Sequence, residues 1–292
     1  MHDTGIQHVS FVGDSYMRQI FAGAVITFSA DYEAGALLPH ADGCRRERQF
    51  EDRDCRHLLK KSAEVCDNTV QMTYTDTTSL SSWIATTPDD LANCTQSGLL
   101  LMSFGNHPTL PDYVTRTGVN SVVHIRQELL SLVCDISIAS TSCNIWWIST
   151  HQRLNNLGSQ LDEEHDIVRS FNVGMRLFFE SNRCGPMHFV DVFNMTDGLL
   201  AHPDAADLTY DGAHWGMTVN LLKVQILLSD LLQKFRSFWR SRPCQSQFKS
   251  NSYNSHHLHV GEYQRGRRQT KPDRIGLSHL RFRIFLALWA KA

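Results

Sequence analysis

None of the eight cysteines in this chain stands in a Cys-x-x-Cys pair, which removes the usual zinc-ribbon and thioredoxin-like motifs. Charge of one sign is also missing. Lys and Arg number 28 against 30 Asp and Glu, so no overall field draws the chain to nucleic acid or to an anionic membrane. No apolar run is long enough to span a bilayer. The longest candidate, Val219–Leu232, is broken by Lys223 and Asp230 and reads as a packed helix. The amino terminus has no apolar leader, being interrupted by His2, Asp3 and Gln7, so an upstream targeting or anchor segment is expected. No internal repeat is visible.

What remains is an ordinary globular composition: 42% hydrophobic and 20% charged over 292 residues, enough for one sizeable core and a tail. The cysteines stand at 44, 55, 66, 94, 134, 143, 184 and 244. An even, spread set suits disulfides made in an oxidising compartment, the secretory lumen (Golgi) or the extracellular space, with connectivity left open. Asn93-Cys94-Thr95 and Asn194-Met195-Thr196 permit N-glycosylation. Residues 240–292 form a basic tail of Ser, Asn, His and Arg clusters without sustained periodicity, expected to be disordered. His256, His257 and His259 within it read as a solvated cluster and not as a metal site.

Five short apolar runs read as buried strands: Ile6–Val12, Val70–Tyr74, Leu99–Phe104, Asn144–Ser149 and His188–Phe193. Helical spacing separates them, over Tyr16–Phe28, Val122–Val133, Gln160–Phe179 and Met217–Phe235. Alternation of this kind predicts an α/β fold with a central parallel sheet of about five strands, covered on both faces. The working crevice of such a sheet lies at the carboxyl ends of its strands. Gly13, Gly105 and Thr150 all follow apolar runs and belong there. The polar segment 32–68, with Cys44, Cys55 and Cys66, reads as a disulfide-stapled insertion into a domain spanning 1–239.

Chemistry concentrates in three places. Gly13-Asp14-Ser15 closes the first strand and opens the first helix, so the Ser15 amide and the helix dipole face the space where an oxyanion would form. A serine hydroxyl is too weakly acidic to attack an ester without a positioned base. Asp211-Gly212-Ala213-His214 supplies one: His214 as base and Asp211 as the acid that fixes its tautomer, three residues apart on one turn. Gly105-Asn106 follows the third apolar run, where the Asn side-chain N–H is placed to donate to an oxyanion. Read without chemistry, Ser15 is a helix cap, Asp211-x-x-His214 a capping turn and Asn106 a turn residue.

These blocks resemble the SGNH (GDSL-like) hydrolase superfamily. Phe11-Val12-Gly13-Asp14-Ser15-Tyr16-Met17-Arg18-Gln19 and Asp211-Gly212-Ala213-His214-Trp215 look like its PC-esterase branch, which includes trichome-birefringence-like proteins and Cas1-type O-acyltransferases. The resemblance spans about residues 6–235 and rests on three short blocks. It implies a flavodoxin-like three-layer fold and acyl transfer to or from a hydroxyl, commonly on glycans of the secretory pathway. It also implies Ser15 as nucleophile, Asp211 and His214 as its partners, and Gly105-Asn106 as the oxyanion block. Neither cofactor nor metal is called for. Two departures stand out: His107-Pro108 follow Asn106, and the block with a second oxyanion glycine has no clear match beyond Gly35 and Gly43.

The expected partner is a carbohydrate or other acyl-ester substrate. Arg18, one turn after Ser15, either steers an anionic or sugar substrate or is an exposed helix arginine. His151 follows the Trp146-Trp147 strand and is a second, weaker candidate for the base or for substrate binding. Asp162-Glu163-Glu164-His165-Asp166 reads as a solvated helix start. Trp146 and Trp147 read as core, whereas Trp215 is a candidate for stacking on a sugar. Two other functions stay open: a non-catalytic glycan-binding protein that keeps the fold, and an esterase of small or lipid esters.

Overall fold

A computed structural model describes residues 6–66, 68–86, 94, 98–104, 121–139, 143–154, 161–181 and 187–234. For residues 84, 86, 121, 133–139 and 161–165 it describes the backbone only. Six strands form one sheet: β1 (His8–Gly13), β2 (Ser62–Val65), β3 (Val70–Asp76), β4 (Gly98–Ser103), β5 (Asn144–Ile148) and β6 (Met187–Val190), in the order β2-β3-β1-β4-β5-β6. Five of these strands are parallel, and β2 joins β3 antiparallel at one edge. The five apolar runs are the five parallel strands. The sixth strand lies inside the polar segment 32–68, where an edge position needs only one buried face, so Ser62–Val65 carries no continuous apolar signal.

The strands β1, β4, β5 and β6 face two cores, and their residues divide between them, whereas β3 adds Met72 and Tyr74 to one core only. Phe11, Leu99, Leu101 and Trp146 turn to one side; Val12, Leu100, Met102 and Trp147 turn to the other. The helices α1 (Ser15–Ser29), α2 (Asp52–Cys55), α3 (Leu80–Thr86), α4 (Ser121–Ala139), α5 (Leu161–Glu180), α6 (Phe193–Leu200) and α7 (Met217–Lys234) supply the outer layers. Ile20, Val25, Val224 and Leu227 of α1 and α7 complete the first core. Leu80, Leu129, Phe171 and Met175 of α3, α4 and α5 complete the second. The chain is therefore a three-layer, doubly wound α/β protein. From β1 it crosses to β3 on one side and then to β4 on the other, so strand order reverses between β1 and β4.

That reversal fixes where a site can form. Gly13 ends β1 opposite Ser103, the last residue of β4. Its φ is +153°, and a Cβ there would stand 2.1 Å from the Ser103 carbonyl oxygen, so only glycine fits. Asp14 then caps α1 by accepting the Tyr16 N–H at 3.0 Å. Along α1, every residue from Tyr16 to Ile26 is buried, because the sheet, α7 and the 32–68 segment enclose it.

The 32–68 segment runs through short 3-10 turns at Asp42–Cys44, Arg46–Phe50 and Arg56–Leu58 and the single-turn α2. Cys44 and Cys55 are bonded to each other, as are Cys94 and Cys143; Cys66 is also disulfide-bonded. These bridges are compatible with a secreted or lumenal protein. Among the described residues no helix is long and apolar enough to cross a membrane. The chain divides into a first unit, Met1–Cys244, and a remainder, Gln245–Ala292, which lies outside the described residues together with the His256–His259 cluster.

Candidate active site

Ser15, the first residue of α1, meets the turn that precedes α7. The Ser15 hydroxyl donates to His214 Nε2 across 2.9 Å. On the other side of the ring, Nδ1–H donates to Asp211 Oδ2 across 2.7 Å. That second bond places the proton on Nδ1 and leaves Nε2 free to accept from the hydroxyl. The other Asp211 oxygen accepts the backbone N–H groups of Ala213 at 2.9 Å and His214 at 2.7 Å. One carboxylate thus shapes the turn and orients the ring.

The electrostatics are consistent with a base that is unprotonated at neutral pH. Burial pushes the His214 imidazole below its ordinary value, and the cationic Arg18 and Lys223 push the same way. The hydrogen bond and charge of Asp211 oppose them without prevailing. Burial alone would raise the Asp211 carboxyl, but the hydrogen bonds and charge of His214 outweigh it and hold it below the usual carboxylate range.

The turn itself is held from several directions. Tyr210 N–H donates to the His214 carbonyl and Gly216 N–H to the Leu208 carbonyl, while Gly212 supplies a positive φ of 81°. Trp215 is fully buried and its Nε1–H donates to the Gln152 carbonyl at 2.7 Å. It therefore anchors the turn, and it is not exposed for stacking on a sugar. Trp146 and Trp147 are likewise fully buried.

Arg18 is not an exposed helix arginine. It is buried and paired with Asp52 of α2, which ties α1 to the 32–68 segment. Gln19 strengthens the tie by donating to the Phe50 carbonyl at 3.1 Å. The Tyr210 hydroxyl also donates to the Glu47 carbonyl, so this segment braces both halves of the site. Gly35 is in a turn with its N–H engaged by the Asp31 carbonyl at 3.0 Å, and so has no free donor for an oxyanion. Gly105 and Asn106 lie outside the described residues, as do His107 and Pro108.

His151 does not reach Ser15 as an alternative base. It is fully buried, with Nε2 against the Ala213 carbonyl at 3.1 Å and Nδ1 against Lys223 Nζ at 2.6 Å. Sequence reasoning missed Lys223 and Asn220 altogether. Lys223 registered only as an interruption in an apolar run, and that interruption was the one signal that could have found it. Among the described residues, no group of three His, Cys, Asp or Glu is placed to hold a metal ion.

The chain matches no protein-family model and no curated protein. Solved structures resemble its fold. One is a catalytic mutant of Axe2, an acetylxylan esterase from Geobacillus stearothermophilus, at 12% identity over 77% of this chain and 94% of that one, with a TM-score of 0.47. Another is a peptidoglycan O-acetylesterase, at 13% identity over 80% of this chain and 93% of that one, with a TM-score of 0.46.

Proposed function

We propose that the chain is a serine esterase or O-acyltransferase acting on acetyl-type esters of carbohydrate through an acyl-Ser15 intermediate. The observation that carries this reading is the continuous line from the Ser15 hydroxyl through His214 to the Asp211 carboxylate, at 2.9 Å and 2.7 Å. Such a line is what an otherwise unreactive hydroxyl needs in order to attack an ester.

In the mechanism we propose, Ser15 Oγ attacks the ester carbonyl carbon as its proton passes to His214 Nε2. Asp211 stabilises the imidazolium so formed. The oxyanion is received by the Ser15 amide at the start of α1, aided by the α1 dipole, with the Gly105-Asn106 block as further donors. Collapse of the tetrahedral intermediate breaks the bond to the sugar oxygen, which takes the proton from His214 and leaves. Water, or a second sugar hydroxyl, then gives its proton to His214 and attacks the acyl-serine carbonyl; the bond to Ser15 Oγ breaks, and Oγ takes the proton back from His214. Water completes an esterase and a sugar a transferase. The carbohydrate and the acetyl group are what the sequence resemblance implies; the residues themselves specify acyl transfer.

Incubating the full chain with a fluorophosphonate probe tests the reading. Labelling of wild type and none of Ser15→Ala is expected. Absence of wild-type labelling at every pH between about 6 and 9, where a histidine base titrates, would overturn it in favour of a binding protein. Acetyl release from acetylated xylan, compared with p-nitrophenyl esters, separates glycan from small-ester substrates.

A further inference from the structure

Beneath the Asp211–His214 turn lies a buried polar network that the acyl-transfer steps do not use. Lys223 is 1% exposed, Asn220 fully buried and His151 1% exposed. Lys223 Nζ stands 2.6 Å from His151 Nδ1 and 2.9 Å from Asn220 Oδ1. The other imidazole nitrogen, His151 Nε2, stands 3.1 Å from the carbonyl of Ala213, the residue between Gly212 and His214. Asn220 Nδ2 reaches back to the Trp215 carbonyl at 2.6 Å.

Donor and acceptor counting assigns the protons. A carbonyl oxygen only accepts, so His151 Nε2 carries the hydrogen toward Ala213. A neutral ring then leaves Nδ1 bare, and the Lys223 amine is its donor. Burial, and after it the charge Lys223 carries when protonated, push the His151 ring well below its ordinary value, toward this neutral form; burial likewise pushes the Lys223 ammonium well below its own. The Ala213 carbonyl and Lys223 together thus hold His151 in one tautomer from its two nitrogens.

The same ring reaches the other half of the site. It stacks on Tyr16, the neighbour of Ser15, with centroids 3.4 Å apart and planes at 28°. The opposite contact of Tyr16 is edge-on to His214, with centroids 6.0 Å apart. One imidazole therefore touches the helix that bears the hydroxyl and the turn that bears the base.

We propose that His151, held between Lys223 and the Ala213 carbonyl, is the positioning residue that fixes the His214 turn against Ser15. Its ring sets the distance from the Tyr16 side, and its Nε2–H sets the height of the Ala213 carbonyl. The inference rests on the proposed acyl-transfer function, because positioning matters only if the Ser15–His214 pair reacts. A misplacement of about 1 Å at a reacting pair costs on the order of 100-fold in rate.

The test uses the full chain, p-nitrophenyl acetate turnover and fluorophosphonate labelling, with thermal unfolding as the check on folding. His151→Ala lowers kcat and the labelling rate by about 100-fold with KM within about twofold, whereas truncation of a merely structural core residue lowers the unfolding midpoint and leaves the folded fraction at wild-type kcat. His151→Gln, whose amide N–H reaches where Nε2–H was, recovers most of the loss. Lys223→Met keeps the volume but removes the hydrogen-bond partner of His151 Nδ1, so the ring is held from one side only, and lowers kcat by about 10-fold. If His151→Ala does not fold, the Gln and Met variants decide. Wild-type kcat in folded Lys223→Met or His151→Ala overturns the positioning role while Ser15-dependent labelling stands. Loss of labelling in the wild type itself removes the functional reading and, with it, this one.

Discussion

At the scale of single residues, the site turns on how one carboxylate is shared. Asp211 gives one oxygen to the His214 ring and the other to two backbone N–H groups of its own turn. Asp211→Asn leaves the turn an acceptor, provided its amide oxygen faces the backbone, but presents an N–H to His214 Nδ1. The ring then takes the wrong tautomer. The expected result is a roughly 10³- to 10⁴-fold loss of kcat for ester hydrolysis with a folded protein; activity within tenfold of wild type would show that Asp211 is not the orienting acid. Ser15, Asp211 and His214, which the structure brings together, could be singled out in the sequence as candidates because Gly-Asp-Ser and Asp-x-x-His each carry a local geometric reason for their spacing. The state of Arg18 was not legible. Its partner, Asp52, is 34 positions away, and nothing local distinguishes a paired arginine from an exposed one. His151 was visible as a crevice residue, but its role depends on Lys223, 72 positions later, and no spacing rule joins the two.

Among the elements, the 32–68 segment does more than decorate the sheet. It supplies strand β2, pairs Asp52 with Arg18, and accepts Gln19 and Tyr210 at Phe50 and Glu47. The Cys44–Cys55 bridge closes a short loop through the part that makes these contacts. Replacing both cysteines by serine is expected to cost about 3 kcal/mol by the loop-entropy argument, read as a lower urea midpoint. Activity should fall more than the population of unfolded chain explains, because Arg18 and Tyr210 lose their braces together. An unchanged rate per folded molecule would show that the segment only stabilises. The central parallel strands were readable from sequence because burial on both faces makes them largely apolar, and β3 because its buried residues alternate. Both β2 and α6 escaped: one is an edge strand with alternating polar residues, and the other a two-turn helix following a strand whose apolar run overlaps it at Phe193. The start of α6 is set by the Ser149 hydroxyl, which accepts the Val192 and Phe193 N–H groups at 2.8 Å each. A contact made across 43 residues leaves no local trace.

At the scale of the whole molecule, three histidines among the described residues are held below their ordinary values, each chiefly by burial: His151, His188 and His214. An unfolded chain near pH 6 binds protons that the folded one refuses, so stability is present in full above the unfolded value of about 6.5 and is lost as pH falls below it. The urea midpoint should drop between pH 7 and pH 5, and His151→Gln should flatten that drop. Asp211 has the same sign but acts only near and below its ordinary value, well outside this window. A midpoint flat from pH 7 to 5 would contradict neutral burial of these rings. The two-sided core explains why the fold class was readable: alternate residues of β1, β4 and β5 all had to be apolar. The antiparallel edge, by contrast, makes six strands where the apolar runs number five.

The hydroxyl at the start of α1 and the imidazole it meets are separated by 199 positions, so they touch only when the late turn has docked on the first helix. A chain released from synthesis short of the late turn would carry Ser15 as an ordinary alcohol, inert toward any ester it met. On the proposed function, reactivity is thus acquired at the end of assembly, and a probe that labels Ser15 would double as a reporter of topological completion.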